Sequence, residues 1–160
     1  MKELVGIAEQ VAAKLIERKQ TIAVAESSSG GLISAALLAV PGASAYFLGG
    51  AVVYTRDARR ILMDIPDDAM KGIRSASEPY AKLLASQIRA RCSTDWGLSE
   101  TGATGPTGNR YGDAAGHSCM AVAGPREAVI TLETGNTDRF ANMQAFASAA
   151  LNLLLQNLSR

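Results

Sequence analysis

Three serines and two glycines, Ser27-Ser28-Ser29-Gly30-Gly31, join the run Thr21-Ile22-Ala23-Val24-Ala25 to a second apolar run, Leu32 to Val40. A strand that ends in a hydroxyl- and glycine-rich turn and then starts a helix has the makings of an anion site. The first N–H groups of a helix lack partners within it, and its dipole favours negative charge there. The hydroxyls add donors, and glycine lets a ligand approach the backbone. Glu26 opens this turn. The pattern is neither a Walker A nor a GxGxxG motif, so it also fits a plainly capped helix packed close to a strand.

A second loop, residues 102–113, runs Gly102-Ala103-Thr104-Gly105-Pro106-Thr107-Gly108-Asn109-Arg110-Tyr111-Gly112-Asp113 after Glu100-Thr101. Its glycines and threonines predict an ordered, donor-rich concavity for an anion or a sugar. Tyr54 ends another strand-like run, and Arg59 follows one helical turn later, where a planar guanidinium could meet a phosphate or carboxylate. Ser44 lies in the small-residue loop Pro41-Gly42-Ala43-Ser44-Ala45, which could fold over the same pocket. Arg139 begins the last helix beside a capping Asp138. The lone histidine, His117, sits two residues from Cys119 with no matching carboxylate cluster, which gives no metal set and no Ser-His-Asp triad.

The elements that must position these residues follow from periodicity. A helix is predicted over Lys2–Arg18, a strand over 21–25, a helix over Gly30–Leu38, and a strand over Phe47–Tyr54. A short helix spans Asp57–Met63, and a helix starts at Ser77-Glu78-Pro79 and runs to Cys92. A short strand covers Asp95–Glu100. Strands at Ser118–Ala123 and Ala128–Leu132 form a hairpin, and a terminal helix starts at Asp138. Strands alternating with helices and followed by a hairpin predict a single α/β domain over 1–160. It is a three-layer α/β/α sandwich with a mixed, mostly parallel sheet. In such sheets ligands sit beyond the carboxyl ends of the strands, where both glycine-rich loops fall.

The 160 residues are 48% hydrophobic and 19% charged, with net charge +1, and no long basic run argues for nucleic acid. Two cysteines suit a reducing compartment. The N-terminus reads as an amphipathic helix and not a signal peptide, and no run reaches the ~20 apolar residues of a membrane span. The expectation is a cytoplasmic protein without membrane or nucleic-acid partners.

Several stretches together resemble the CinA C-terminal domain family, which includes nicotinamide mononucleotide deamidases. Ala23-Val24-Ala25-Glu26-Ser27-Ser28-Ser29-Gly30-Gly31 is similar to that family's AESCTGG motif. Pro41-Gly42-Ala43-Ser44, Val53-Tyr54-Thr55, Ala76-Ser77-Glu78, Thr101-Gly102-Ala103-Thr104-Gly105-Pro106 and Thr137-Asp138-Arg139 follow in the family's order. The resemblance implies a homo-oligomer that hydrolyses the carboxamide of a small mononucleotide, with neither metal nor organic cofactor. It implies catalytic or transition-state contacts from Ser27, Ser29, Ser44, Tyr54, Arg59 and Thr101. Substrate binding falls to Glu26, Gly30, Gly31, Gly102, Thr104, Gly105 and Arg139. The chain departs from the pattern at Ser28 (cysteine in the motif), at Arg59 (commonly lysine), at Thr104 (usually alanine), at Met143 (often arginine), and through residues 107–113. Arg59 can bind or polarise but cannot act as a base at neutral pH.

Overall fold

The computed structural model describes residues 1–160. The chain order is α1 (Lys2–Arg18), β1 (Ile22–Glu26), α2 (Leu32–Leu38), β2 (Phe47–Val52), α3 (Arg56–Met63), α4 (Glu78–Cys92), β3 (Trp96–Ala103), β4 (His117–Ala123), β5 (Ala128–Glu133) and α5 (Arg139–Leu158). One five-stranded sheet has the order β2-β1-β3-β4-β5. β1 pairs in parallel with β2 and β3, whereas β3–β4 and β4–β5 are antiparallel. Four strands therefore share one direction and β4 alone is reversed. No helix is long and apolar enough to cross a membrane.

Helices cover both faces of the sheet. On one, Leu4, Val11 and Leu15 of α1, Ile33 and Leu37 of α2, and Phe146, Leu151 and Leu154 of α5 pack on Ile22, Val24, Trp96 and Leu98. On the other, Met63 of α3 and Tyr80, Leu84 and Ile88 of α4 pack on Ala23 and Ala25. Every residue of β1 is buried, as a central strand between two helical layers must be, so apolar runs replace alternation there. Edge strand β2 alternates half-buried and exposed residues instead. Gly97 lets α4 approach β3, since a Cβ there would lie 2.1 Å from the Ala85 carbonyl oxygen.

Local chemistry sets the boundaries. Thr55, Ser77 and Asp138 cap α3, α4 and α5 by accepting from the N–H groups of Ala58, Tyr80 and Ala141. Three expected boundaries move by two residues or more, and the first is the end of β2, at Val52 and not Tyr54. α2 starts at Leu32 and not Gly30, because Gly30 and Gly31 take φ of +66° and +100°, which the helix cannot accommodate. β3 runs on to Ala103, because Gly102 and Ala103 pair with Ser118 and His117. These two residues belong to the sheet, and the loop begins at Thr104.

Candidate functional site

The carboxyl ends of β1, β2 and β3 converge on a cavity of about 560 Å³, well within the size of small-molecule sites. Its walls come from the serine turn (Ser27), the start of α3 (Tyr54, Thr55, Arg56, Arg59), the segment before α4 (Arg74, Ser75, Ala76), Tyr80, the end of β3 (Thr101, Gly102), and the loop residues Asn109, Arg110 and Tyr111.

The serine turn itself is not the anion site that its composition predicts. Its donors are already filled by two buried carboxylates of the chain. Glu26 Oε1 accepts from Ser29 Oγ (2.7 Å), Gly31 N (3.0 Å) and Ile33 N (3.1 Å), and Oε2 accepts from Ser34 N and Ser34 Oγ, both at 2.9 Å. An internal anion thus sits on the start of α2, where a ligand anion was expected. Glu100 accepts from Ser27 N (3.1 Å), Ser29 N (2.8 Å), Ser118 Oγ (3.0 Å) and the Ser28 hydroxyl. Gly30 N donates to Ser27 O. Glu26, Ser29, Gly30 and Gly31 are therefore turn-builders and line no part of the cavity. Of the turn, only Ser27 lines the cavity, and its hydroxyl has no partner within the chain.

The remaining predicted residues divide. Tyr54, Arg59, Thr101 and Gly102 line the cavity with Ser27. Arg139 reaches the rim, donating to Tyr54 OH at 3.2 Å and to Gly105 O at 2.6 Å. Thr104 and Gly105 are structural: Thr104 O accepts from the buried Asn142 amide at 2.9 Å, and a Cβ on Gly105 would press on Ala115 and Thr137. Ser44 is not brought to the cavity. It is exposed and precedes β2, whose carboxyl end, not its start, faces the cavity, so within one chain it lies at the opposite end of the sheet.

Sequence reasoning missed Arg56, Arg74, Arg110 and Tyr111. With Arg59 they place four guanidiniums on a cavity whose lining holds no carboxylate, lysine or histidine. Asp67 anchors Arg56 (3.4 Å), Arg59 (3.3 Å) and Arg60 (3.5 Å). Burial would raise its pKa, but these guanidiniums overcome that and hold it below the usual carboxylate value. Arg74 donates to both oxygens of Asp113, at 2.7 and 3.1 Å. It also stacks on the Tyr111 ring at 5.3 Å, with Arg110 at 5.2 Å. Asn109 folds this loop, accepting from Tyr111 N and Asp113 N and donating to Asp113. A tyrosine flanked by Arg110 and Asp113 in a glycine-rich loop was the available signal for this wall.

A buried polar post supports the wall from behind. Ala76 holds a left-handed φ of 56°, which costs a non-glycine residue about 1 kcal/mol or more. It is pinned there: its N–H donates to Thr101 Oγ1 at 3.1 Å, and its carbonyl accepts from His117 Nε2 at 2.7 Å. The other ring nitrogen faces Glu133, and Asp113 lies 3.6 Å from Nε2. Both nitrogens thus face acceptors, the arrangement of an imidazolium. Burial opposes that charge, but Glu133, the Ala76 carbonyl and Asp113 outweigh it and raise the pKa above 6.5.

The model of the CinA C-terminal domain matches residues 5–158. The chain belongs to the CinA C-terminal domain family. A CinA-like protein of Gloeobacter violaceus is 40% identical over 121 residues, covering 76% of this chain and 28% of the relative. One from Acidobacterium capsulatum is 36% identical over 151 residues, covering 94% and 36% respectively. The chain thus spans about a third of the length of these relatives. A crystal structure of a CinA superfamily protein from Klebsiella pneumoniae superposes with TM-score 0.91 at 23% identity, covering 98% of both chains. A competence/damage-inducible protein from Agrobacterium tumefaciens gives 0.90 at 24%, over 99% of this chain and 96% of that one. These structures share the α/β fold of this CinA-family domain.

Proposed function

We propose that the chain binds a phosphorylated pyridine nucleotide in the arginine-walled cavity and hydrolyses its carboxamide, with nicotinamide mononucleotide as substrate. One observation above all supports this: four guanidiniums and no carboxylate line a cavity of mononucleotide size, beside the unpartnered hydroxyl of Ser27. A phosphate monoester carries about −1.5 to −2 charge near neutrality, which matches such a wall. In the reaction the acyl carbon–nitrogen bond breaks. Water supplies the hydroxyl to the acyl carbon and a proton to the nitrogen, giving nicotinate mononucleotide and ammonia. Ser27, its backbone held by the Glu100 carboxylate, is the candidate attacking hydroxyl: its Oγ bonds to the acyl carbon, its proton leaves with the nitrogen as ammonia, and water then cleaves the ester to release the acid and restore the hydroxyl. Arg59 is the candidate donor to the developing oxyanion, since the Gly30 and Gly31 N–H groups are engaged elsewhere.

A second reading is favoured by the absence of any lysine, histidine or carboxylate from the lining. No side chain there takes a proton readily at neutral pH, which fits a protein that binds the nucleotide without hydrolysing it. Ammonia release from nicotinamide mononucleotide, measured on the purified chain and on Ser27→Ala, separates the two. Release that is lost in the variant supports the amidohydrolase. No release, with the nucleotide bound in the same sample, supports the binder.

A further inference from the structure

The guanidiniums on the cavity differ in depth and in the acid that anchors them. On α3, three arginines (Arg56, Arg59, Arg60) meet two aspartates, Asp57 and Asp67. Across the cavity, Arg74 pairs with Asp113, while Arg110 rests on Tyr111 and meets no carboxylate. Each group keeps one unneutralised positive charge. The side chains of Arg56 and Arg74 are 71% and 41% exposed, whereas that of Arg59 is 9% exposed. Arg59 therefore stands at the cavity floor, near the buried Tyr80 and Thr101, and the others stand at its mouth.

Arg59 is also incompletely satisfied. Its Nη2 donates to Asp67 and the guanidinium lies against the Tyr80 phenol, but its Nε has no hydrogen-bond partner within the chain. Its Nε is the one buried side-chain nitrogen or oxygen in the protein without a hydrogen bond. A buried guanidinium with unused donors is costly unless an anion completes it. A neutral amide oxygen satisfies a donor without answering the charge. A carboxylate does both, through the shorter and stronger charge-assisted bond.

We infer that the cavity is built for a mononucleotide with two anionic ends, its phosphate among the arginines of the mouth and a ring carboxylate on Arg59 at the floor. This rests on the nucleotide reading above and goes beyond it. The preferred ligand is the acid form of the pyridine nucleotide, and an amidohydrolase built this way retains its product and is inhibited by it.

The test is isothermal titration of the unmodified chain with nicotinate mononucleotide and with nicotinamide mononucleotide, which differ only in carboxylate against carboxamide. The acid binds about tenfold more tightly, the difference between a charge-assisted and an ordinary hydrogen bond. In Arg59→Gln the two affinities come within about twofold of each other, because the acid alone loses its counter-charge. Equal or weaker binding of the acid by the unmodified chain overturns the carboxylate subsite and leaves the nucleotide reading standing. Preference that survives in a folded Arg59→Gln overturns the assignment to Arg59. Binding of neither nucleotide overturns both readings. If Arg59→Gln does not fold, Arg59→Lys, which shortens the reach and removes the planar fork, lowers the preference; an unchanged ratio counts against Arg59.

Discussion

Replacing Glu26 with glutamine tests whether an internal carboxylate, and not capping by serine, builds the turn. The side chain is fully buried and accepts from five donors, three on one oxygen and two on the other. Glutamine is nearly isosteric but keeps one acceptor oxygen. In the less costly orientation the amide oxygen serves Ser29, Gly31 and Ile33, and the NH2 faces Ser34. The Ser34 hydroxyl can turn and accept, but the Ser34 N–H cannot, so one backbone donor is orphaned at about 1–3 kcal/mol. The three retained bonds lose charge assistance, at about 0.5 kcal/mol or more each, and the α2 dipole loses its counter-charge. Relief of the carboxylate's desolvation offsets part of this. The net expectation is a loss of about 3 kcal/mol, read from urea unfolding as a lower midpoint at unchanged slope. A loss below about 1 kcal/mol would refute the reasoning, since it would mean that the turn holds without its internal anion.

Other consequences can be checked on the same purified chain. The raised pKa of His117 supplies stability that is complete below its unfolded value, about 6.5, and is lost as pH rises through the folded value. The melting temperature should therefore fall on going from about pH 6 to about pH 8, and His117→Gln should flatten that slope; an unchanged slope would remove His117 as its source. Thr101→Val strips the acceptor from the Ala76 N–H and should cost about 1–3 kcal/mol in denaturant unfolding. Gly97→Ala forces a Cβ against the Ala85 carbonyl and should cost about 3 kcal/mol or prevent folding. Gly6→Ala, on α1 with nothing within 4 Å, should stabilise by about 0.5–1 kcal/mol. Equal effects of the two glycine substitutions would contradict the close α4–β3 approach.

The fold was largely legible because its signals are local. Helical spacing of Val5, Ala8, Ala12, Leu15 and Ile16, the cap at Ser77-Glu78-Pro79 and the Gly124-Pro125 turn each depend on neighbours in the chain. The end of β3 was not legible, because pairing of Gly102 and Ala103 with β4 is a long-range event. In the site, Ser27, Tyr54, Arg59, Thr101 and Gly102 were found and do meet on one cavity. At the serine turn the sequence left an anion site and a plainly capped helix both open, for a physical reason. The same free N–H groups that would take a ligand anion also take a buried side chain, and only the fold shows that Glu26 and Glu100 arrive first. Ser44 stands apart from the cavity within one chain because a loop's end of the sheet depends on strand direction, which its own residues do not encode. Arg74 and Tyr111 become neighbours only when Asp113 folds the loop back.

Whether the arginine wall holds a phosphate is decided by titrating nicotinamide mononucleotide against nicotinamide riboside, which lacks it. The mononucleotide should bind measurably and less tightly as salt rises, and the riboside should bind at least about tenfold more weakly or not at all. Equal affinities, or no binding of the mononucleotide by the folded chain at low salt, would contradict a phosphate site in the arginine wall.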